Sequence, residues 1–357
     1  MPQRANVPCG TAYAGGVDRL TIKDVAKAAG VHPATASRAL NPRLPGRISA
    51  ETTRRVEQAA AELGYVVDPV GRSLRTQRSA TIGVLVPDLL NPFYPPLLRG
   101  VERALRSRGF EALIASTDND PRREAELLEV FKGRRCDGYI IATATLHDAT
   151  VSGLVRDGVP VVLVNRLAGI AAPRVTSDDA RGIRDAVQHL LGLGHTAIAH
   201  IAGPPGISVS QTREDAFRSA LRAAGIEDHR IVRAEQFTAA AGERACLALL
   251  AETTVTAILA GNDMIAVGCY AALDKMRLRC PDDVSLVGVN NMPLAEWLRP
   301  SLTTVAIPQE DLGTRAAQLV VEQIDNPHTD VGAVTLDTGL IVRGSTAPAV
   351  HAAPPSA

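Results

Sequence analysis

Residues 21–65 read TIKDVAKAAGVHPATASRALNPRLPGRISAETTRRVEQAAAELGY, and three short helical patterns lie inside them. Thr21 suits an N-cap ahead of IKDVAKAA, where Ile22, Val25, Ala26 and Ala29 share one face and Gly30 marks the stop. The turn Gly30-Val31-His32 leads to a second helix, with Pro33 suited to its first position and Thr35, Ala36, Ala39 and Leu40 following. Ser49 caps a third pattern, in which Val56, Ala59, Ala60 and Leu63 recur at helical spacing. Two short helices joined by a glycine-containing turn match a helix-turn-helix.

Outward from this stretch, the charge is unevenly shared. The 357 residues hold 38 basic and 38 acidic side chains, a formal net charge of zero. Residues 1–78 nevertheless carry twelve Lys/Arg against six Asp/Glu, while the remainder carries 26 against 32. A +6 module on a −6 body points to a polyanionic partner for the module.

Residues 1–19 show little periodicity and are expected to be a flexible extension, and residues 20–66 form the helix-turn-helix domain. Residues 67–79, containing DPVGRSLRTQRS, are polar and basic and read as a hinge or linker. From Ala80 the pattern changes to short apolar runs: TIGVLVP (81–87), EALIAS (111–116), GYIIATA (138–144), VPVVLVN (159–165), AIAHIAG (197–203), TAILAG (256–261) and VSLVGVN (284–290). Helical patterns such as LLRGVERALRSRG and RGIRDAVQHLLGLG separate most of them. Continuous apolar strands alternating with helices imply parallel sheets covered on both faces. Seven such units are too many for one small sheet, so two doubly wound α/β subdomains are expected over residues 80–346. Residues 347–357 form a tail.

Composition narrows the function classes. Hydrophobic content of 46% with 21% charged residues is that of a globular chain. No apolar run approaches the roughly 20 residues needed to span a bilayer. The opening MPQRANVPCGTAYAGG lacks the apolar stretch of a secretory signal, so a cytoplasmic, nucleoid-associated protein without a membrane partner is expected. The five cysteines contain no CxxC pair, which argues against a zinc cage or disulfide framework. Neither GxSxG, a P-loop, HExxH nor a GxGxxG after the first strand is present, so neither an enzyme nor a cofactor is expected.

The run TIKDVAKAAGVHPATASRALNPRLPGRISAETTRRVEQAAAELGY, continued by VGRSLRTQRSATIGVLVPDLLNPFY, DGYIIATA, PVVLVNR, GHTAIAHIAG, REDAF, AGNDMIAVG, DDVSLVGVN, PSLTTV and LIVRGST, resembles the lactose-repressor family of bacterial transcription regulators. The resemblance covers about residues 20–346. It implies a helix-turn-helix headpiece, a hinge helix and a core similar to periplasmic sugar-binding proteins. It also implies a homodimer on a palindromic operator, most simply a repressor, controlled by a sugar, sugar acid or sugar phosphate. In the core, the chain would cross between subdomains about residues 177 and 305.

On that resemblance Pro33, Ala34 and Arg38 occupy the positions used against base edges, where small apolar groups meet a thymine methyl and Arg can bond guanine. Thr21, Thr35, Ser37 and Asn41 are candidates for phosphate oxygens. His32 stands where the family has Ser as N-cap; as a poorer cap, it is read as a phosphate contact instead. Arg72 and Leu74 belong to the hinge, with Leu74 as a minor-groove wedge. Gly71 replaces the Ala favoured there at a helix cost of about 0.5–1 kcal/mol, which implies a hinge that orders only on DNA.

Ligands of doubly wound sheets bind outside the carboxyl ends of the strands. Asn91, Phe93 and Tyr94 follow the first strand in a chain with only 3% aromatics, and Asn165, Arg166, Asn262 and Asn290 end strands. Arg213 lies in QTREDAF, and Phe237 aligns with an effector-facing aromatic of the family. Amides and guanidinium offer fixed donors to hydroxyls or a carboxylate. Asn165 and Asn290 stand where family sugar binders often carry Asp, so a less anionic cleft and an effector tolerating negative charge are expected. Asp263 reads as the N-cap of the helix MIAVGCYAAL. The C-terminal STAPAVHAAPPSA has no leucine heptads, which favours a dimer over a tetramer.

Overall fold

The computed structural model describes residues 20–40, 48–65, 78–227, 229–327 and 332–349. The chain divides into two units, residues 1–77 and 78–357.

The first unit contains α1 (Ile22–Ala28), α2 (Pro33–Ala39) and α3 (Ala50–Leu63). Their facing residues Val25, Ala26, Ala29, Ala36, Val56, Ala59 and Ala60 make one small buried cluster. Ala and Val dominate because three short helices must approach closely to close a core of this size. Ser49 caps α3 by accepting from the Thr52 amide at 3.2 Å. Gly64 ends α3 with φ +65°, a left-handed C-cap that favours glycine.

In the second unit, strands and helices alternate. First come β1 (Thr81–Val86), α4 (Tyr94–Ser107), β2 (Glu111–Ser116), α5 (Pro121–Gly133), β3 (Gly138–Ile141), α6 (Ala149–Arg156), β4 (Val161–Val164) and β5 (Arg174–Ser177). Next are α7 (Asp179–Gly192), β6 (Ile198–Ala202), α8 (Ser208–Ala223), β7 (Arg230–Arg233), α9 (Ala239–Glu252), β8 (Ala257–Ala260), α10 (Asp263–Lys275), β9 (Ser285–Asn290) and β10 (Thr303–Ala306). The last elements are α11 (Gln309–Asp325), β11 (Ala333–Leu336) and β12 (Gly339–Ile341).

Among the described residues these strands form two six-stranded sheets, ordered β11-β5-β4-β3-β1-β2 and β12-β10-β9-β8-β6-β7. Every strand pair is parallel except β10 with β12. Each of the seven apolar runs is a strand, and all of β1 but Thr81, with β3, β4, β6, β8 and β9 entirely, is buried. The chain leaves the first sheet after Ser177, returns after Ala306 and crosses again between Leu336 and Gly339. That third passage corrects the sequence expectation of two crossings, about 177 and 305. It is hard to read because β11 and β12 are short and only partly covered.

The extension 1–19 and the hinge residues Gly71, Arg72 and Leu74 lie outside the described residues, as do Asn41 and the tail from residue 350. No helix among the described residues is long and apolar enough to cross a membrane.

Candidate functional site

In the first unit, Pro33 occupies the first position of α2, and Ala36 points into the core. At 100° per residue, Ala34 and Arg38 fall opposite Ala36, with Ser37 flanking that arc and Pro33 lying nearer the buried side. Arg38 is exposed, and Pro33, Ala34, Thr35 and Ser37 are partly exposed. Thr21 is engaged locally: its amide and hydroxyl both donate to Asp24, at 2.8 and 2.7 Å.

At His32 the structure corrects the reading of a poor cap. This residue is the N-cap of α2, its Nδ1 accepting from the Ala34 amide at 3.2 Å. An imidazole nitrogen two residues before the amide reaches it much as a Ser hydroxyl would. The cap therefore survives the substitution.

In the second unit, the carboxyl ends of the strands in the two sheets supply a cleft with two connected parts. The inner part, about 20 Å³, is lined by Asn91, Phe93, Tyr94, Asn165, Arg166, Arg213, Phe237, Asn262 and Asn290, together with Val209. The structure thus brings all nine sequence-selected residues to one place. Asn91 turns the chain after β1, its side chain accepting from the Phe93 amide at 3.1 Å. Phe93 and Tyr94 then meet edge to face, with centroids 5.1 Å apart. Burial raises the Tyr94 phenol above its ordinary pKa, so it stays a neutral donor. Phe237 lies against the backbone at Gly203, a close approach that a Cβ there would block.

The polar groups divide into used and unused. Arg213 and Asp179, 3% and 5% exposed, form a buried ion pair at 2.6 Å, and Arg213 Nη1 donates to the Gly261 carbonyl at 2.7 Å. Asp179 also accepts from the Ser177 hydroxyl at 2.8 Å. Asn262, rather than Asp263, is the N-cap of α10, accepting from the Ile265 amide at 2.8 Å. Asp263 is the first helical residue and accepts from the Met292 amide and the Thr304 hydroxyl, at 2.7 and 2.6 Å. By contrast, Asn165 Oδ1, Arg166 Nε and Asn290 Oδ1 are buried with no hydrogen-bond partner. Asn165 and Asn290 also hold positive φ, +65° and +121°, at the ends of their strands. Unsatisfied buried polar atoms are costly and strained backbone collects at binding sites. Three such groups around one cavity are placed to meet a ligand.

The outer part is a chamber of about 750 Å³. Its walls include Tyr94, Phe237, Pro121, Pro204, Pro205 and Ile207. Its charge runs against an effector that carries negative charge. Asp88, Asp118, Asp120, Glu124, Asp148 and Glu235 all line it, against Arg166 as the guanidinium in the lining. The two amides that replace carboxylates sit deeper, and the acidic groups come from loops after other strands and, for Glu124, from α5. Sequence reasoning missed these carboxylates, although Asp118 and Asp120 follow β2 and Asp148 lies in the loop after β3. The rule that selected Asn165 would have selected them too.

Glu124 is buried on α5, and its carboxyl is pushed up to about 7 by burial, with neighbouring Asp148 adding to the rise. A carboxyl whose folded pKa exceeds its unfolded value favours the folded state below the unfolded pKa. That contribution is lost as pH rises from about 4.5 to about 7. Glu124→Gln is therefore expected to flatten this decline, gaining up to about 3 kcal/mol on wild type between pH 5 and pH 8. Urea unfolding at both pH values checks it, and parallel curves for the two proteins would refute it.

One edge of the cleft is tied across the subdomains. The Leu146 amide donates to the Gly206 carbonyl at 3.1 Å, and the Leu167 amide donates to Ser208 Oγ at 2.8 Å.

Comparisons with known proteins agree with both units. Residues 21–68 match the family described as bacterial regulatory proteins, lacI family, and residues 187–346 match the periplasmic binding protein-like domain. The ribose operon repressor of Halalkalibacterium halodurans is 36% identical over 91% of this chain and 97% of its own length. Among solved structures, the transcriptional regulator CelR–cellobiose complex is 30% identical, with a TM-score of 0.70 over 92% of this chain and all of that one. A LacI family regulator from Enterococcus faecium with bound ribose is 32% identical, with a TM-score of 0.66 over 75% of this chain and 99% of that one. A helix-turn-helix headpiece and a core with a polar cleft are thus accompanied by similarity over nearly the full length of a repressor, and the chain belongs to the lacI family of bacterial regulatory proteins.

Proposed function

We propose that this protein is a transcriptional repressor that binds a palindromic operator as a homodimer and alters its grip when a sugar or sugar derivative fills the cleft. One observation carries the reading: three buried polar groups without partners surround a cavity in the core of a chain that also bears a helix-turn-helix. Hydroxyls of a saccharide satisfy amide oxygens and a guanidinium N–H at once, and the Phe93, Tyr94 and Phe237 rings supply apolar faces for the sugar ring. Similarity to a ribose operon repressor and to ribose and cellobiose complexes supports a sugar as the effector class.

On DNA, Pro33, Ala34 and Arg38 face the base edges, and Thr35 and Ser37 face phosphates. Asn41, Arg72 and Leu74 complete the contact by family resemblance. The protein acts in the cytoplasm, at the nucleoid.

The Arg38→Ala variant tests the DNA half. It is expected to lose about 1–3 kcal/mol of operator binding and to relax specificity at one base pair per half-site. Non-specific binding should fall far less. Anisotropy titrations on operator and scrambled duplexes read both, and equal losses on the two would contradict the assignment of Arg38 to a base.

A further inference from the structure

The inner part, about 20 Å³, admits a hydroxyl rather than a ring, so a saccharide that reaches the inner amides lies largely in the chamber outside them. That chamber, about 750 Å³, lies in the range of cavities that bury whole drug-sized ligands. Its wall carries an uncompensated excess of negative charge. Asp118 and Glu235 have arginine partners of their own, Arg123 and Arg244. Asp88, Asp120 and Asp148 are fixed by backbone amides, those of Leu90, Arg122 and Val151, at 2.8, 2.8 and 2.9 Å. Glu124 differs: it is 6% exposed, lines the chamber and makes no ion pair with a described lysine or arginine. Beside it the Thr143 hydroxyl, 5% exposed, has no hydrogen-bond partner.

A buried carboxyl with no ion pair of its own, held close to a second carboxyl, Asp148, and to the Thr143 hydroxyl, is a costly arrangement that a cation would relieve. Neutral hydroxyls would satisfy the hydrogen bonds but leave the charge excess. An anionic group would add to it. A protonated amine satisfies both, donating up to three hydrogen bonds while neutralising a carboxylate.

We propose that this chamber is a second subsite of the effector cleft, formed around Glu124, Asp148 and Thr143, that takes a protonated amine on the outer part of a two-part effector. The effector class is then an amino-sugar glycoside, with hydroxyls of one ring reaching Asn165, Arg166 and Asn290 and an amine-bearing ring against Glu124. This rests on the reading of the cleft as a saccharide site and narrows it. It also replaces the sugar acid or sugar phosphate expected from the amide substitutions.

The test is calorimetric titration of the full chain at neutral pH with two disaccharides. One is the β-1,4-linked dimer of glucosamine with free amines. The other is cellobiose, in which a hydroxyl replaces each amine. The amine dimer is expected to bind about tenfold tighter or more, and rising salt should shrink that ratio. In Glu124→Gln the ratio should fall toward one. Equal affinities in wild type, or a ratio unchanged in Glu124→Gln, would overturn the amine subsite while leaving a saccharide effector standing. If neither disaccharide nor ribose binds, the saccharide reading falls and the subsite with it.

Discussion

Arg213→Met is expected to destabilise the core by about 3–5 kcal/mol, the cost of leaving one member of a buried ion pair without the other. Asp179 is 5% exposed and would keep a single neutral donor, the Ser177 hydroxyl. The Gly261 carbonyl, which accepts from Arg213 Nη1, would lose its bond as well. Met approximates the volume of the arginine stem, so a cavity does not account for the loss. The double variant Asp179→Leu/Arg213→Met should recover much of it, because removing both charges removes the desolvation penalty. Urea unfolding of wild type, single and double variants reads this cycle. A single variant within 1 kcal/mol of wild type would show that the pair is not the anchor it looks to be. The same substitution also reaches the cleft, since Arg213 lines its inner part. Effector affinity should therefore not return in the double variant even where stability does.

The second large effect is at the crossing of α4 and α11. A Cβ on Gly313 would sit on the Leu97 carbonyl oxygen, and one on Gly100 would sit on that of Glu310, both far under 3.0 Å. Backbone cannot yield as a flexible side chain can. Exposed helix positions gain about 1 kcal/mol on going from Gly to Ala, so propensity and packing pull in opposite directions here. Overpacking of this kind costs typically 1–3 kcal/mol and occasionally more. Gly313→Ala is expected to lose about 2 kcal/mol or more on balance. Gly153→Ala on α6 meets nothing within 4 Å and should instead be neutral or slightly stabilising. The melting temperatures of the two variants should move in opposite directions; a rise for both would refute the crossing argument. Glu310 reinforces the same crossing from the surface, pairing with both Arg99 and Arg103 of α4.

What could be read from residues alone depended on burial. β1, β3, β4, β6, β8 and β9 announce themselves because both faces are covered and nearly every side chain must be apolar. β2 was legible too, although it is only partly buried. Of the five strands that no run marked, four have weaker cover, and β10, buried except at Ala306, is half threonine. Arg174–Ser177 and Arg230–Arg233 carry arginines, and β7 lies at a sheet edge. Thr303–Ala306, Ala333–Leu336 and Gly339–Ile341 are four residues or fewer at the passages between subdomains. Their identity as strands comes from neighbours supplied by distant parts of the chain.

The site shows the same division. Residues ending a strand, such as Asn165 and Asn290, were found because position after a strand is a local property. Which of Asn262 and Asp263 caps α10 was decided by tertiary partners, since Met292 and Thr304 hold Asp263 from outside the helix. The acidic character of the outer chamber was missed because it is a sum over loops separated by up to about 150 residues. His32 was misjudged from cap statistics that rank residue types, whereas geometry needed only an acceptor at the right height.

The central claim is that occupation of the cleft controls the headpiece. Its most direct test is an anisotropy titration of the full-length protein against a duplex selected by the protein itself from random sequence, with and without saccharide. The selected site should be palindromic, and saturating saccharide should change its affinity about 5–150-fold, the usual range of coupling between sites. Asn290→Leu should erase that response while leaving operator affinity in the absence of saccharide within a few-fold of wild type. Selection of no specific sequence, or an operator affinity indifferent to every saccharide that binds the core, would contradict the account.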